Sequence, residues 1–569
     1  MPDTRSAPVS PPLRSVRSVV RETVEAAWTA AIRSGALPVV PPDADVPAVE
    51  VTYTSDPAHG DVACSVALKL ARPLKRPPMA IAEAIATELR AGIAARGPLA
   101  DVQVAAPGFL NMRLAPAFLE QTLDAARAAD DDFGRAFPAT PRNLNVEFVS
   151  ANPTGPLTVG NARGAFVGDL LCRVLEAAGH DVTREYYFND AGRQVRVLGG
   201  SVAARRAGEE LPEEAYRGAY VDTLAADLPD EIWTAATAPD ADRGSIVGAW
   251  ASERIRAGIE ASLAHLGVHF DVWKSETTLH TEGWVERAVD RLRAGGYVFE
   301  QDGATWFRST DFGDDKDRVI YRTTGEPTYF AADIGYVTEK FSRGYSKLIY
   351  VWGADHHGTV ARVRNAAKAM GFDIDAVQML LVAWVRFIRD GAEISMSKRS
   401  GEFITLDELL AEVGVDAARW SFAARAPSSP IDFDLELARK QSADNPVFYV
   451  QYAHARICSI LRKAAEVGIT PAASLAGALA DDGIAADLAR EVLRLPEVVE
   501  DAAAAEETHA VTAYATGLAT TFHGFYRDRR VVDPADPTTS ARRLALVDTA
   551  RLALRNTLGL LGISTPEQM

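Results

Sequence analysis

The chain has 569 residues, of which 47% are hydrophobic and 24% charged, and its formal net charge is −17. This length exceeds what a single hydrophobic core serves, so we expect two to four domains. No apolar run approaches the roughly 20 residues of a membrane-spanning helix, so the composition favours a cytoplasmic protein without a membrane anchor. The negative charge argues against nucleic-acid binding over the whole surface but not over a local basic face.

The three cysteines, Cys64, Cys172 and Cys458, lie far apart in the sequence. This spacing predicts neither a disulfide framework nor a Cys-x-x-Cys metal site, so each cysteine is expected to fill an apolar core. The adjacent His356 and His357 point in opposite directions, and no third ligand follows at zinc spacing. We therefore predict no structural metal.

The amino-terminal part of the chain predicts two segments. Residues 1–19 are polar and rich in proline, which is typical of a disordered lead-in. Residues 20–115 then alternate helical and strand-like stretches, as in a small α+β domain. Four basic residues between Lys69 and Arg76 form a patch in this domain, and the patch fits a solvated surface as well as it fits a phosphate contact.

The stretch from Asn145 to Gly179 predicts a strand, a glycine–proline turn and a helix in immediate succession. Apolar residues from Val167 to Leu175 recur with helical spacing, and Gly179 can end the helix in the left-handed conformation. The first amide groups of a helix have no partner within it and carry the positive end of its dipole. This turn is therefore predicted to bind a phosphate group.

Further strand signals place polar loops at one edge of a predicted sheet. Residues 183–192 and 346–358 each resemble a strand ending in a polar loop, as at the carboxyl edge of a parallel sheet. Residues 200–295 between them are mostly helical and are predicted to be an insertion. We expect an α/β fold with a Rossmann-like parallel-sheet catalytic domain over 140–430 and an all-α domain over 435–569.

A Pro-x-Gly-Pro turn before a helix is by itself a weak signal, because such residues usually serve backbone geometry. The pairing of ANPTGPLTVGNARGA with the later MSKRSG, however, resembles the two signature sequences of class I aminoacyl-tRNA synthetases. With these, the segments YYFNDAGRQV, FGDDKDRVIYR, PTYFAADIGY, VWGADHHG and NPVFYVQYAHARI resemble arginyl-tRNA synthetase, in matching order across nearly the whole chain. The amino-terminal extension fits the same family.

The resemblance implies an ATP site made of two segments. Its residues would be Pro156, Thr158, Gly160, Asn161, Gly164, Met396, Ser397 and Lys398. Thr158, Asn161 and Lys398 would be catalytic, although Thr158 and Asn161 replace the two histidines of the usual signature. Threonine and asparagine donate hydrogen bonds but carry no charge, so more of the electrostatic stabilisation is expected from Lys398 and from Mg²⁺ that arrives with ATP.

The resemblance also implies an arginine site. A guanidinium is a planar fork of donors that keeps its charge, so its pocket needs carboxylates in matching geometry. The implied residues are Glu147, Asn152, Tyr329, Asp333 and one of the pair Asp355 and His356, between which the sequence does not decide. Each has a plainer interpretation on its own, such as a surface carboxylate, a helix-face ion pair or a histidine satisfied within its loop.

For the whole chain, the resemblance implies an arginine–tRNA ligase. It would activate L-arginine to arginyl-adenylate with ATP and transfer it to the 3'-terminal ribose of tRNA(Arg). The amino-terminal and all-α domains would contact the tRNA, and the expected contacts in the latter are Arg527, Arg529, Arg530, Arg551 and Arg555. A catalytically silent tRNA-binding paralogue and a class I synthetase for another amino acid are the alternatives. We expect a monomer.

Overall fold

The computed structural model shows three structural units in chain order: a small α+β unit, a unit built on a parallel sheet, and a helical bundle. It describes residues 13–42, 44–94, 97–138, 140–190, 192–394 and 404–569. Met396, Ser397 and Lys398 therefore lie outside the described residues. No described helix is long and apolar enough to cross a membrane.

The amino-terminal unit packs helices against a four-stranded antiparallel sheet. Its elements are α1 (Val16–Arg33), β1 (Val51–Tyr53), β2 (Val62–Cys64), α2 (Val66–Leu74), α3 (Pro78–Ala94), β3 (Leu99–Ala105) and β4 (Phe109–Leu114), with sheet order β1-β2-β4-β3. Helix α1 begins at Val16, where the Ser15 hydroxyl caps its first turn. The predicted end of the lead-in at residue 19 is therefore wrong, because a buried face of valines and alanines orders the helix from Val16 on.

The central unit is organised around a five-stranded sheet in which every neighbouring pair of strands is parallel. Its strands are β5 (Asn143–Phe148), β6 (Asp181–Phe188), β7 (Val272–Ser275), β11 (Lys347–Gly353) and β12 (Val377–Val382), in the order β12-β11-β5-β6-β7. The chain runs from β5 outward to β7 and returns to the other side at β11. Strands β5 and β11 thus flank the switch point, where parallel sheets bind ligands.

Helices and small sheets surround this parallel sheet. The helices are α4 (Pro116–Ala129), which leads into the unit, α5 (Val159–Ala177), α6 (Gly192–Ala207), α7 (Ala219–Asp227), α8 (Asp230–Ala236), α9 (Arg243–His265), α10 (Glu276–Thr281), α11 (Trp284–Ala294), α12 (Tyr329–Ser342), α13 (His357–Ala369), α14 (Leu406–Val413), α15 (Val415–Ala423) and α16 (Leu435–Arg439). The additional strands are β8 (Val298–Gln301), β9 (Ala304–Phe307), β10 (Arg318–Tyr321), β13 (Val385–Arg389), β14 (Ala392–Ile394) and β15 (Ile431–Asp434).

Strand β7 corrects one prediction. It lies within the predicted helical insertion over 200–295, yet it pairs with β6 as the edge strand of the central sheet. The sequence missed it because its four residues, VWKS, are partly buried throughout and show no period-two alternation.

The last unit is a bundle of five helices: α17 (Pro446–Glu466), α18 (Gly483–Leu493), α19 (Leu495–Ala505), α20 (Ala510–Asp528) and α21 (Pro537–Leu561). It contacts both other units. The buried Arg419 of α15 joins Asp169 of α5, at 2.8 Å, to the backbone oxygen of Leu561 at the end of α21. On the other side, the Arg17 guanidinium of α1 bonds Asp501 of α19.

Candidate functional site

A cavity of about 420 Å³ opens at the carboxyl ends of β5, β6 and β11. It therefore lies at the switch point of the parallel sheet. Its polar and aromatic lining consists of Glu147, Ser150, Asn152, Tyr187, Asn189, Glu276, Tyr329, Asp333, Tyr336, Tyr350, Trp352, His356 and Thr359. The predicted residues Glu147, Asn152, Tyr329, Asp333 and His356 thus come together, and Asp355 lies outside the lining.

The backbone directly after β5 is strained. Val149 and Ser150 both have positive φ, at 68° and 44°, although a β-branched valine rarely adopts this conformation. The buried Tyr186 hydroxyl holds the turn, since it accepts from the Ala151 amide at 3.0 Å and donates to the Ala151 carbonyl at 2.8 Å. The Ser150 hydroxyl accepts from the Tyr187 amide at 3.2 Å. Such strain at a cavity rim is typical of a functional turn.

Glu147 is buried, and one of its oxygens already has a cation. The Lys340 ammonium lies 2.6 Å from Glu147 Oε2, and the Ser150 hydroxyl donates to Oε1 at 3.1 Å. A buried carboxylate needs such partners, because an unpaired charge is costly inside a protein. Glu147 is therefore held in place before any ligand arrives.

Asp333 lies one turn into α12, whose start is capped by the Thr328 hydroxyl. Burial, together with the negative charges of Glu276 and Glu147, raises the pKa of Asp333 from 3.8 to about 7. Tyr329, four residues earlier on the same helix, is 70% exposed at the mouth of the cavity. The arrangement offers a carboxylate that a bound cation would stabilise, with an aromatic ring beside it.

Glu276 is the functional candidate that the sequence did not indicate. It is the first residue of α10, directly after β7, and its Oε2 accepts from the Tyr187 hydroxyl at 2.5 Å. Burial raises the pKa of Glu276 above its usual value. Asp190 holds this junction, because its carboxylate accepts from the Ser275 hydroxyl at 2.5 Å and from the Thr277 hydroxyl at 2.8 Å.

The remaining polar residues lie at the rim. Asn152 Nδ2 donates to Gln194 Oε1 at 2.9 Å, which joins the turn after β5 to α6. The His356 ring lies 5.5 Å from the Trp352 ring, centroid to centroid, and His356 Nε2 is 3.7 Å from Asp355 Oδ2. His356 thus faces the cavity, and Asp355 is its neighbour outside.

A second candidate region lies at the start of α5, where Thr158 and Asn161 are partly exposed. Thr158 precedes the helix, and both its amide and its hydroxyl donate to Asn161 Oδ1 at 3.1 Å. The two signature residues therefore bond each other. The Val159 amide donates to the Ile404 carbonyl at 3.2 Å, so Ile404 lies beside this helix start.

Three glycines at intervals of four residues line one face of α5. At Gly168 an added Cβ would lie 2.3 Å from Phe148, so this glycine allows the helix to pack on β5. At Gly160 an added Cβ would meet only the Thr158 hydroxyl, at 3.4 Å, and at Gly164 nothing lies within 4 Å. The first turns of α5 therefore leave open space beside the backbone, with Pro156 exposed at their edge.

Comparison with known proteins shows which family combines these features. The chain matches family models described as the arginyl-tRNA synthetase N-terminal domain, the class I (R) tRNA synthetase catalytic domain and the DALR anticodon-binding domain, over residues 16–114, 131–223 with 243–428, and 450–569. It is 44% identical over 536 residues to arginine–tRNA ligase of Moorella thermoacetica, covering 92% of this chain and 94% of that one. The chain belongs to the arginyl-tRNA synthetase family.

Further relatives agree with this membership. Arginine–tRNA ligase of Desulforamulus reducens is 40% identical over 565 residues, 98% of this chain and 99% of the relative. The arginyl-tRNA synthetase of Thermus thermophilus has the same fold, with a TM-score of 0.73 over 97% of this chain and all of that one at 24% identity. The predictions of family, fold class and enzyme class are confirmed, and the family's use of ATP applies to this chain.

The arginines predicted to contact tRNA differ in their surroundings. Arg527 and Arg530 keep most of their side-chain surface exposed, while ion pairs join them to Asp528 and Asp533. Arg529, Arg551 and Arg555 are mostly covered and pair with Asp482, Asp548 and Asp130, at 2.7–2.9 Å. Arg555 thereby connects α21 to the segment after α4, so its observed contacts are within the fold.

The described part of the chain contains no group of three His, Cys, Asp or Glu residues placed to hold a metal ion. The three cysteines are buried and free.

Proposed function

We propose that the cavity binds L-arginine with its guanidinium between Asp333 and Glu276. The observation that carries this assignment is a pair of carboxylates in one cavity, both with raised pKa and neither with a lysine or arginine partner among the described residues. A guanidinium supplies the missing positive charge and enough donors for both. Tyr329 would cover its flat face.

The opposite end of arginine would lie toward β5. Glu147 Oε1, the strained backbone at Ser150 and the Asn152 amide can bind the α-amino and α-carboxylate groups. His356 lies on the cavity wall near this rim and is a further contact, and Asp355 is assigned none. This orientation directs the α-carboxylate toward the start of α5, where ATP would bind.

Two carboxylates also explain how the site can reject lysine. Lysine carries the same charge on a single ammonium and cannot bond both Asp333 and Glu276 with the geometry of a fork. One carboxylate would be left partly unpaired, at a cost of about 3 kcal/mol, or roughly 150-fold in affinity. A hydrolytic editing domain is then unnecessary.

ATP would lie along the first turns of α5. The open space at Gly160 and Gly164 admits the nucleotide close to the backbone, while Pro156 borders it and Thr158 and Asn161 supply uncharged donors. Met396, Ser397 and Lys398 would close on the phosphates, where Lys398 stabilises charge that develops in the transition state. Mg²⁺ would arrive bound to the ATP phosphates.

The reaction is an adenylyl transfer followed by an acyl transfer. The arginine carboxylate attacks the α-phosphate of ATP, and pyrophosphate leaves. The terminal ribose hydroxyl of tRNA(Arg) then attacks the arginyl carbonyl and releases AMP. Proximity and charge stabilisation suffice for both steps, so no side chain needs to act as a covalent nucleophile.

The tRNA would contact the first and last structural units. Arg527 and Arg530 are exposed on the helical bundle beside the partly exposed Tyr526, a combination suited to unstacked bases and phosphates. Arg529, Arg551 and Arg555 would assist only by keeping the bundle in place. We further propose a cytoplasmic monomer whose first domain begins at Val16, where α1 starts, and whose other domains are those predicted over 140–430 and 435–569.

Pyrophosphate exchange, measured with tRNA present, tests the arginine assignment. Asp333→Asn and Glu276→Gln should each raise the KM for arginine by about 10- to 150-fold, as expected for a lost charged hydrogen bond, and leave the KM for ATP unchanged. Asp290→Asn, on the exposed surface of α11, is the matched control. An unchanged arginine KM, or equal increases for arginine and ATP, would show that the cavity serves another ligand.

A further inference from the structure

Helices α6 and α9 of the helical insertion pack backbone against backbone. A Cβ added at Gly199 of α6 would lie 2.0 Å from the Gly244 carbonyl oxygen of α9, and one added at Gly248 would lie 2.3 Å from the Val195 carbonyl oxygen. The absence of side chains at these glycines lets the two helices approach closely. A contact between backbones leaves little room to shift, so the pair is a firm base for the rest of the insertion.

Helix α7 is attached to α6 near both of its ends. The Arg206 guanidinium of α6 donates to the Ala225 carbonyl, in the last turn of α7, at 3.3 Å. Ahead of α7, the Tyr216 amide donates to the buried Ser201 hydroxyl of α6 at 2.9 Å. Helix α7 therefore has a defined position on α6.

Tyr220, the second residue of α7, contacts the turn between β5 and α5. Its hydroxyl donates to the Thr154 carbonyl at 3.0 Å, and a Cβ added at Gly155 would lie 3.5 Å from the same hydroxyl. Burial raises the pKa of Tyr220 above its usual value, so the hydroxyl keeps its proton and remains a donor. The insertion thus touches the chain two residues before Pro156 and four before Thr158.

Tyr220 is one of three supports along this turn. The Tyr186 hydroxyl of β6 bonds both backbone groups of Ala151, and Gln194 of α6 accepts from Asn152. The turn begins with two residues of positive φ, a conformation that persists only where its surroundings hold it. Side chains from β6 and from the insertion therefore hold the turn together.

We propose that Tyr220 is a positioning residue through which the helical insertion keeps this turn in place during adenylate formation. The turn joins the end of β5, where arginine would bind, to the start of α5, where ATP would bind. Its backbone therefore sets the separation of the two substrates, and a displacement of about 1 Å can lower a rate about 100-fold. Tyr220 acts through the Thr154 backbone. The inference rests on the proposed binding of arginine and ATP on the two sides of the turn.

The test compares Tyr220→Phe with the unaltered protein in pyrophosphate exchange, with tRNA present. Phenylalanine keeps the ring and removes the hydrogen bond, so the unfolding temperature should fall by about 2 °C or less. The rate at saturating ATP and arginine should fall about five- to tenfold. The KM for each substrate should stay within about twofold, because the groups that bind both substrates are retained. A raised KM with an unchanged rate would place Tyr220 in substrate binding and overturn the inference.

Two further variants separate this role from a general effect on the insertion. Tyr216→Phe removes the same kind of hydroxyl from the same segment, but the Thr154 carbonyl accepts from Tyr220, so this control should leave the rate unchanged. Arg206→Met loosens α7 from α6 and should lower the rate about two- to threefold. It should add no loss to Tyr220→Phe, because the contact that it supports is already removed.

The outcomes distinguish the role of Tyr220 from the proposed substrate sites. An unchanged rate in Tyr220→Phe, an equal loss in Tyr216→Phe, or additive losses for Arg206→Met would overturn the inference. If Asp333→Asn raises arginine KM, Gly164→Ala raises ATP KM and Tyr220→Phe has no effect, only the role of Tyr220 fails. If Asp333→Asn and Gly164→Ala have no effect, the substrate sites are wrong and the inference fails with them.

Discussion

Arginine binding should release protons, because the free cavity holds a carboxyl whose pKa is about 7. About half of the Asp333 side chains are protonated at that pH, and about nine tenths are protonated one pH unit lower. A bound guanidinium favours the carboxylate and would return its pKa toward 3.8 or below. Arginine must therefore displace a proton from Asp333 at neutral and mildly acidic pH.

The pKa of Asp333 sets how strongly arginine binding should depend on pH. Below the pKa of Asp333, the apparent arginine KM should rise about tenfold per pH unit, so it should be about tenfold higher at pH 6 than at pH 8. Each bound arginine should release about half a proton near pH 7 and about 0.9 near pH 6. The raised pKa of Glu276 adds to the release at the acidic end.

Two assays check these values. Pyrophosphate exchange with tRNA present gives arginine KM against pH, and calorimetry in buffers of different ionisation enthalpy counts the protons released. Asp333→Asn should flatten the pH dependence of KM, because an amide does not titrate. A KM that stays constant between about pH 6 and 8, or proton uptake on binding, would show that arginine does not displace a proton from Asp333.

Three further predictions concern the nucleotide site, Lys398 and the tRNA. Gly164→Ala should raise ATP KM and leave stability equal or up to about 1 kcal/mol higher, while Gly168→Ala should destabilise the fold by about 1–3 kcal/mol through contact with β5. Thermal unfolding and ATP titration separate the two, and equal effects would contradict the open space at Gly164. Lys398→Ala should lower the rate of arginine activation far more than tRNA affinity, and equal losses would mean that Lys398 does not act in activation. Arg527→Ala should weaken tRNA binding, measured by filter binding, and reduce its salt dependence. Arg555→Ala should instead lower the unfolding temperature, measured by thermal melts. A loss of stability in Arg527→Ala and a loss of tRNA binding alone in Arg555→Ala would contradict the assignment.

Local patterns in the sequence were enough to predict the secondary structure around β5 and α5. Alternation predicts a strand from Asn145, within the observed β5, helical spacing predicts α5, and Gly179 has the expected positive φ of 83°. Thr405 and Glu408, three residues apart, likewise form a capping box at the start of α14. These features depend on neighbours within a few residues, which is the range that sequence patterns describe.

The parts of the site that the sequence missed depend on contacts between distant segments. Glu276 follows a four-residue strand without alternation, and it reaches the cavity only because β7 pairs with β6. Lys340 reads as an ordinary helix-face lysine, but the fold buries it with its ammonium 2.6 Å from Glu147 Oε2. Between Asp355 and His356, the choice depends on a short 3-10 turn that the sequence could not orient.

A crystal structure with bound L-arginine would show how the cavity is occupied. We predict that the guanidinium bonds both Asp333 and Glu276, with the α-amino end near Glu147 Oε1 and the Lys340 ammonium still on Oε2. An arginine whose guanidinium bonds Glu147, or one that binds outside the cavity, would contradict it.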